Sequence, residues 1–222
     1  MKKIFTLLFI FIFMFSCLSQ NEEIQFPTEI EYHYCRNCDG KPEIINMLIS
    51  NKHKDLFFVS ETNSDKIFIE KDSYNVNLKS NEIDYSQSFL LGRQGARFVK
   101  ITPTDDFFEF GKYKARKYIL DLPEYKMMIF VDESSKINNT PFLNKKYGII
   151  SPPELPKGLI VRIDMFNIDE TLIKENVWLL QDVNTKSKKS FFIDFNRIKL
   201  LERNLEKEFG NVKVVTEEIK SK

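Results

Sequence analysis

Apolar and polar residues alternate along several short segments, and this alternation limits what the chain can fold into. In residues 29–34 the apolar side chains fall on even positions, whereas in residues 159–165 they fall on odd positions. A period of two places such side chains on one face of a half-buried β-strand. The signal recurs in residues 190–195, and short apolar runs lie between, at 56–59, 66–69, 97–101, 118–122, 126–131 and 177–183. The sequence therefore predicts a mainly β fold with a curved antiparallel sheet or open half-barrel.

One amphipathic helix is predicted near the C-terminus. Its apolar residues recur at helical spacing, at Ile198, Leu201, Leu205 and Phe209. Gly210 follows as the expected helix stop. We expect the apolar stripe of this helix to pack on the sheet. Residues 42–50 leave two alternatives open, a short helix that begins with a proline or a strand over 44–49.

The chain begins with a pattern typical of an export signal. Lys2 and Lys3 precede an apolar run over residues 4–15, which as a helix would extend about 18 Å against the roughly 30 Å of a bilayer core. Two processing routes are open. Cleavage before Gln20 would release a soluble protein, whereas lipidation of Cys17, in a setting that resembles the bacterial lipobox, would tether the protein to a membrane surface. We predict export to the periplasm or outer membrane, with lipidation at Cys17.

The predicted organisation is a signal peptide over 1–19 (1–16 if Cys17 is lipidated), one β-rich domain over 20–215 and a charged tail over 216–222. Hydrophobic residues make up 42% of the sequence, which favours a folded domain over disorder. Removing Lys2 and Lys3 with the signal changes the formal net charge from +1 to −1, and basic residues form no stripe. We therefore expect no nucleic-acid partner.

Side chains that could carry catalysis are few. The sequence has two histidines, His33 and His53, and it has no glycine-rich phosphate loop, nucleophile elbow or zinc-protease motif. The acid pairs 105–106 and 132–133 lie beside strand segments and are expected at solvated loop ends rather than as a general acid and base. We therefore predict no catalytic residue, no cofactor, no metal ligand and no enzymatic activity.

Cys35 and Cys38 are separated by two residues, which is the one spacing in the sequence that is typical of reactive or metal-binding cysteines. Neighbouring cysteines in an exported chain are most simply a disulfide that closes a local turn, so we predict a disulfide between them. Free thiols, a metal site that includes His33 and a redox-active pair remain as alternatives. A redox pair would sit at the start of a helix, whereas the turn signal at residues 39–40 follows this one.

A short motif at residues 155–160 places Leu155, Pro156, Gly158, Leu159 and Ile160 in a characteristic order. It resembles the Gly-Leu-Pro-Gly-Leu-Ile stretch for which the GLPGLI family of bacterial envelope proteins is named. Here a glutamate replaces the first glycine and a lysine interrupts the pattern.

Other segments are similar to the same family. Residues 111–117, which begin at Gly111, are similar to its Gly-Tyr-Lys-Cys-Lys segment, and residues 47–51 with 56–57 are similar to its early strand pair. Residues 128–137 fall where the family has a strand with a tryptophan, which is lacking here. The resemblance implies a LolA-like antiparallel sheet around an apolar groove, in or near the outer membrane, with structural rather than catalytic motif residues.

Two functions follow as hypotheses. The first is a carrier or sensor that holds a lipid or other apolar ligand against a concave sheet face without catalysis. The second is an envelope scaffold or protein-interaction module whose aromatic residues fill its own core. A thiol oxidoreductase that uses Cys35 and Cys38 is a remote alternative. An apolar cavity of roughly several hundred Å³ would favour the first hypothesis.

Overall fold

The structure is a computed structural model. It describes residues 21–35, 41–53, 56–61, 64–69, 72–77, 82–90, 97–122, 125–147, 149–150, 155–167 and 172–200. The predicted signal peptide, Cys17, Cys38 and the charged tail lie outside these ranges. No helix within the described ranges is both long and apolar enough to cross a membrane.

The fold is mainly β, as the alternation predicts, and it contains a curved antiparallel sheet of 11 strands. The strands are β1 (Asn21–Phe26), β2 (Thr28–Cys35), β3 (Glu43–Ile49), β4 (Phe57–Glu61), β5 (Ser64–Ile69), β6 (Asp72–Asn77), β7 (Glu82–Leu90), β8 (Arg97–Phe98), β9 (Lys100–Phe110), β10 (Tyr113–Asp121), β11 (Tyr125–Asp132), β12 (Ile149–Ile150), β13 (Leu159–Asn167), β14 (Leu172–Asn184) and β15 (Lys189–Asp194). Helix α1 spans Pro141–Tyr147. A C-terminal helix begins at Phe195 and is described as far as Leu200.

Two meanders make up the large sheet. In the N-terminal meander, β2 to β7 pair in chain order, and in the C-terminal meander β9, β10, β11, β13 and β14 do the same. Strands β2 and β14 join the two halves, with Trp178 opposite Tyr34. The sheet therefore ends at β7 on one side and at β9 on the other.

Strands β1 and β15 form a separate two-stranded ribbon that packs on the N-terminal meander. Their alternating residues bury Ile24 and Phe26 from β1 and Phe191 and Ile193 from β15. The Phe191 ring stacks on Phe58 of β4 with the ring centroids 4.8 Å apart. We call the sheet face that carries this ribbon the ribbon face.

The opposite sheet face is covered by α1 and the segments around it, and we call it the helix face. Pro141 occupies the first helical position, where its missing amide hydrogen costs nothing. The helix buries Phe142 and Leu143 in one core cluster with residues from both meanders. This cluster includes Met47 of β3 and Ile129 of β11, so both halves of the sheet are closed on this face.

Three elements refine the sequence prediction. Residues 43–49 form a strand, which decides between the two alternatives for that segment. The described part of the C-terminal helix packs through Ile198 in the ribbon-face core, together with residues of the ribbon and the N-terminal meander, whereas α1 covers the helix face. Strand β9 runs to Phe110, beyond the predicted end at residue 101. The remaining predicted helix residues, Leu201, Leu205 and Phe209, lie outside the described ranges.

Candidate interaction surface

The acid pair at the end of β11 serves local structure. Asp132, the last residue of β11, is buried, contrary to the expectation of a solvated loop end, and it accepts hydrogen bonds from the amide and hydroxyl of Ser134 at 3.0 and 2.6 Å. Glu133 accepts a hydrogen bond from the Tyr118 hydroxyl. Burial, together with this hydrogen bond and the negative charge of Glu133, raises the pKa of Tyr118 to about 12. Neither carboxylate is placed as one of an acid–base pair.

The second acid pair lies within β9 instead of at its end. Asp106 pairs with Lys117 at 3.2 Å, and Asp105 lies 3.5 Å from Arg116. Both acids are exposed to solvent. They lie within the β-bulge at which β9 shifts its register against β10, between the paired residues Pro103 and Phe107, and therefore have a local structural role.

The histidines and the cysteine motif do not form a metal site in the part of the chain that the structure describes. Cys35, the last residue of β2, is disulfide-bonded. Because Cys38 lies outside the described residues, its pairing with Cys35 stays a prediction. His33 lies 3.7 Å from Glu31, and His53 packs on the ring of Phe195 at 5.2 Å. No group of three metal-ligating side chains comes together within the described ranges.

The motif at residues 155–160 fixes the start of β13. The amide of Gly158 donates to Asn138 Oδ1 at 3.1 Å, and its carbonyl accepts from the Asn139 amide at 3.1 Å. Its φ of 149° is strained for other residues, and an added Cβ would lie 2.4 Å from the backbone oxygen of Asp132. Pro156 is half-buried, while three motif side chains are part of the helix-face core: Leu155, Leu159 and Ile160. Gly111 has a φ of 59° in the turn between β9 and β10. Both motif glycines therefore adopt a positive φ, which glycine tolerates better than other residues.

A buried polar network connects this motif to the centre of the sheet. Asn139 Nδ2 donates to the Tyr32 hydroxyl at 2.6 Å, and its Oδ1 accepts from the Ile160 amide at 2.8 Å. The Tyr32 hydroxyl in turn donates to the carbonyl of Ile160 at 2.8 Å. Burial raises the pKa of Tyr32, so this hydroxyl keeps its proton. Through Asn139, the network connects the loop after β11 to Tyr32 of the N-terminal meander and to Ile160 of the C-terminal meander.

The centre of the helix face is occupied by the chain's own side chains. The Trp178 ring lies 5.7 Å from Tyr32 and 6.2 Å from Phe142 of α1. Lys146 places its ammonium 4.5 Å from the Trp178 ring centroid and 2.6 Å from Glu61. Burial lowers the pKa of Lys146, and Glu61 opposes that effect. Helix α1 thus occupies the centre of the helix face with its own side chains.

A cavity of about 300 Å³ opens on the ribbon face, where β15 approaches β3 and β4. Two phenylalanines contribute to its wall, but lysines, serines and an asparagine make up the rest, as the full lining shows: Asn46, Phe58, Ser60, Lys188, Lys189, Ser190 and Phe191. Its mixed lining differs from the phenylalanine-lined cavity that a lipid carrier needs.

Three aromatic rings cluster on the ribbon face of the C-terminal meander. Phe108 and Phe110 of β9 meet Phe130 of β11 edge-on, with ring centroids 5.1 and 5.5 Å apart. Ala115 and Val161 complete this small cluster. Phe130 is buried while Phe108 is 39% exposed. The cluster therefore has a solvent-facing aromatic rim.

The cluster continues as a row of side chains across the sheet, which we call the outer row. Cross-strand pairing places Phe130 opposite Arg162, Arg162 opposite Leu179, Leu179 opposite His33, and His33 opposite Ile44. Paired residues of antiparallel strands share a face. The outer row, with Phe108 at its start, thus crosses the C-terminal meander and reaches β3.

The outer row is open to solvent at both ends and in the middle. Phe108 is 39%, Leu179 37% and Ile44 50% exposed. Arg162 carries a positive charge at the centre of the row, and it is held by a 2.7 Å bond to buried Asp164 and by its position 5.8 Å from the Phe130 ring. Aromatic residues and arginine are enriched in protein interfaces, so the outer row is a candidate interaction surface.

Sequence reasoning missed this surface. The alternation shows that β2 and β13 each have two faces, but the row depends on how six strands align, which no local pattern contains. One signal was present: the consecutive apolar residues Trp178, Leu179 and Leu180 show that β14 is apolar on both faces.

Comparisons with known proteins give no family for this chain. No protein-family model matches the sequence, and no curated protein matches it. Similar solved structures include PNGF-II in a P21 space group (14% identity, TM-score 0.38, 73% of this chain and 28% of that chain) and the MucA/MucB complex of Pseudomonas aeruginosa (8% identity, TM-score 0.41, 75% and 53%). A crystal structure of MucB is also similar (11% identity, TM-score 0.33, 77% and 55%). The chain thus spans less than a third of PNGF-II and about half of the matched chains in the other two structures. Similarities at these TM-scores identify neither a family nor a function.

Proposed function

We propose that this is an exported cell-envelope protein that binds a protein partner through its outer row. The observation that carries this proposal is the contrast between the two sheet faces. The helix face is packed with the chain's own residues, whereas the ribbon face carries one row of exposed apolar side chains, with Phe108 and Leu179 on the C-terminal meander and Ile44 on the adjoining strand β3. Exposed apolar side chains arranged in this way favour an interaction site.

The contacts favour a protein partner over a lipid. A lipid carrier needs an enclosed apolar cavity, but Phe142 and Lys146 of α1 pack on Trp178 where such a cavity would lie. The outer row is an open surface with an arginine at its centre, and Arg162 offers several hydrogen-bond donors to a partner's carboxylate or carbonyl groups. The lipid or apolar-ligand function is therefore the alternative.

Site-specific photocrosslinking in intact cells tests the proposal. A photoreactive residue at Leu179 or Ile44 should form an adduct with one discrete envelope protein. Phe192 is the matched control, because it is a 52% exposed aromatic residue on β15, away from the outer row, and it should give no such adduct. Equal labelling at the three positions, or none at Leu179 and Ile44, would contradict the proposal. Saturable binding of a hydrophobic fluorescent probe that a fatty acid displaces would support the lipid alternative.

Membrane attachment and family are further parts of the proposal. A lipid on Cys17 would hold the outer row near a membrane, where an envelope partner could meet it. Labelled palmitate should mark the protein, and Cys17→Ala should abolish the label, whereas a mature N-terminus at Gln20 would exclude this anchor. Membership of the GLPGLI family is proposed on the motif at residues 155–160 alone.

A further inference from the structure

The edge of the large sheet at β9 is a second uncovered surface. In the described sheet β9 pairs with β10 and ends the strand order. Five consecutive residues, 105–109, are exposed, and Phe107 alone is 53% exposed. Phe107 faces the side of the sheet opposite to Phe108, because neighbouring residues of a strand alternate between faces. An edge with exposed aromatic residues on both faces is a template for pairing with another strand.

The hairpin geometry shows which backbone groups face the open edge. Residues Phe110 and Tyr113 pair across a two-residue turn, and in such a hairpin the pair beside the turn is hydrogen-bonded. Hydrogen-bonded and non-hydrogen-bonded pairs then alternate along the strands. Phe107 and Glu109 therefore belong to the non-hydrogen-bonded pairs, and their amide and carbonyl groups point away from β10.

The first half of this edge is closed to pairing. Pro103 has no amide hydrogen. The carbonyl of Thr104 accepts from Arg116 Nε at 2.7 Å, and the Asp106 amide donates to the Thr104 hydroxyl at 3.2 Å. These features leave residues 107–110 as the accessible part of the edge.

We propose that this accessible edge pairs antiparallel with the same edge of a second copy of the chain, centred on Phe108. In this register Phe107 lies opposite Glu109 of the second copy, so the two pairs form four backbone hydrogen bonds. A shift of two residues in either direction would place Glu109 opposite Glu109 or opposite Asp105, and like charges directly opposite each other are unfavourable. The centred register instead places Glu109 opposite Phe107 and Asp106 opposite Phe110 of the second copy, so no like charges lie opposite each other. Avoidance of like-charge pairs therefore selects this register.

The second copy also completes the aromatic cluster. Phe108 of one copy would face Phe108 of the other on the ribbon face, in a non-hydrogen-bonded pair with Cα atoms about 4.5 Å apart. The two clusters of Phe108, Phe110 and Phe130 would then join across the two-fold axis. This inference goes beyond the proposed partner site and shares only Phe108 with it. Leu179 and Ile44, at which the partner site is tested, lie on β14 and β3, away from the edge, so failure of one proposal can be distinguished from failure of the other.

A cysteine at the two-fold axis tests the pairing. Cα atoms about 4.5 Å apart are within disulfide range, so Phe108→Cys in the full-length protein should form a covalent dimer on mild oxidation. Mass spectrometry should identify the link between the two copies of position 108. Phe192→Cys is the matched control and should remain monomeric, and the wild-type chain reports any link through its own cysteines. A Phe108→Cys protein that stays monomeric, or that links instead to another protein, would overturn the inference.

A proline at the edge gives a second, non-covalent measurement. Glu109→Pro removes an outward-facing amide from each copy but leaves the hydrogen bonds to β10 in place. The dissociation constant of the dimer, measured by analytical ultracentrifugation, should rise at least about tenfold, since two hydrogen bonds are lost. Glu109→Gln keeps the amide and should dimerise like the wild type. A monomeric wild type, or a dimer that Glu109→Pro leaves unchanged, would place self-association elsewhere or exclude it.

Discussion

The two meanders of the sheet are alike on the helix face and differ on the ribbon face. On the helix face, Met47 of the N-terminal meander and Ile129 of the C-terminal meander are both buried in one core. On the ribbon face, the N-terminal meander is covered by β1 and β15, and Phe58 is buried beneath Phe191. The C-terminal meander leaves Leu179 and Phe108 exposed on that face. One sheet thus combines a closed half with an open half.

The difference teaches how an open sheet face can be tolerated. The Lys117 ammonium lies 5.9 Å from the Phe108 ring, and the Arg162 guanidinium lies 5.8 Å from the Phe130 ring. Long cationic side chains cover apolar rings while their charges stay in water. In the part of the chain that the structure describes, these side chains therefore cover much of the open half, and the aromatic edges stay partly exposed to solvent.

The largest expected difference between the two halves is in the stability lost when one phenylalanine is truncated on the covered half and one on the open half. Phe191→Ala should lower the free energy of unfolding by about 3–5 kcal/mol, because it leaves a cavity beneath the ribbon. Phe108→Ala should cost about 1 kcal/mol or less, since its ring is partly in water already. Urea denaturation of both variants measures the difference. Similar losses would mean that Phe108 is covered in the isolated protein.

The second test compares two glycines of the C-terminal meander. Gly158→Ala should cost about 2–4 kcal/mol, because φ is strained and the new Cβ meets the backbone oxygen of Asp132. Gly111→Ala should cost only about 1–2 kcal/mol, since φ is also positive but the space around it is open. Thermal unfolding of both variants provides the ranking, and the reverse order would contradict the packing described at Gly158.

The fold was largely predictable because the alternation of apolar and polar residues within a strand is a local sequence signal. The alternation in β2 and β13 gives their positions to within two residues. The strand predicted at β9 was too short, because Pro103 and the acids that follow it are typical of a loop. An edge strand tolerates such residues where its backbone faces water. Helix α1 has only seven residues, too few for a helical period to be recognised.

The candidate site was far less predictable than the fold. The outer row requires Leu179 to lie opposite His33, and these residues are far apart in the sequence. Their pairing depends on both meanders having formed, so it has no local signal. The sequence pointed to the cysteine motif and to the glycine motif instead. Of these, Gly158 has a packing role, its close approach to the backbone of Asp132, which no local sequence pattern reveals.

The pH dependence of stability tests whether Tyr118, on the helix face of the C-terminal meander, is shielded from water. The pKa of Tyr118 is about 12 in the fold against 10.0 for an ordinary tyrosine. Between these values the unfolded chain loses a proton that the folded chain keeps, so the free energy of unfolding falls as the pH rises from 10 to 12. Tyr118→Phe should make this fall less steep. An unchanged slope would mean that Tyr118 is in contact with water.

The smallest expected effect gives the most specific test of the open face. Leu179→Ser should change the free energy of unfolding by no more than about 0.5 kcal/mol, because the side chain is already 37% exposed and lies at the surface. Leu48→Ser is the matched control, since Leu48 lies on the same sheet face but is fully buried beneath the ribbon. It should cost about 3 kcal/mol or more through lost apolar burial and an unsatisfied hydroxyl. If Leu179→Ser were as costly as Leu48→Ser, some part of the chain would cover the outer row, and a partner could bind there only by displacing it. A neutral Leu179→Ser that nevertheless loses the photocrosslinked partner at Ile44 would separate the stability of the sheet from its function, because the same residue would then contribute to binding and not to folding.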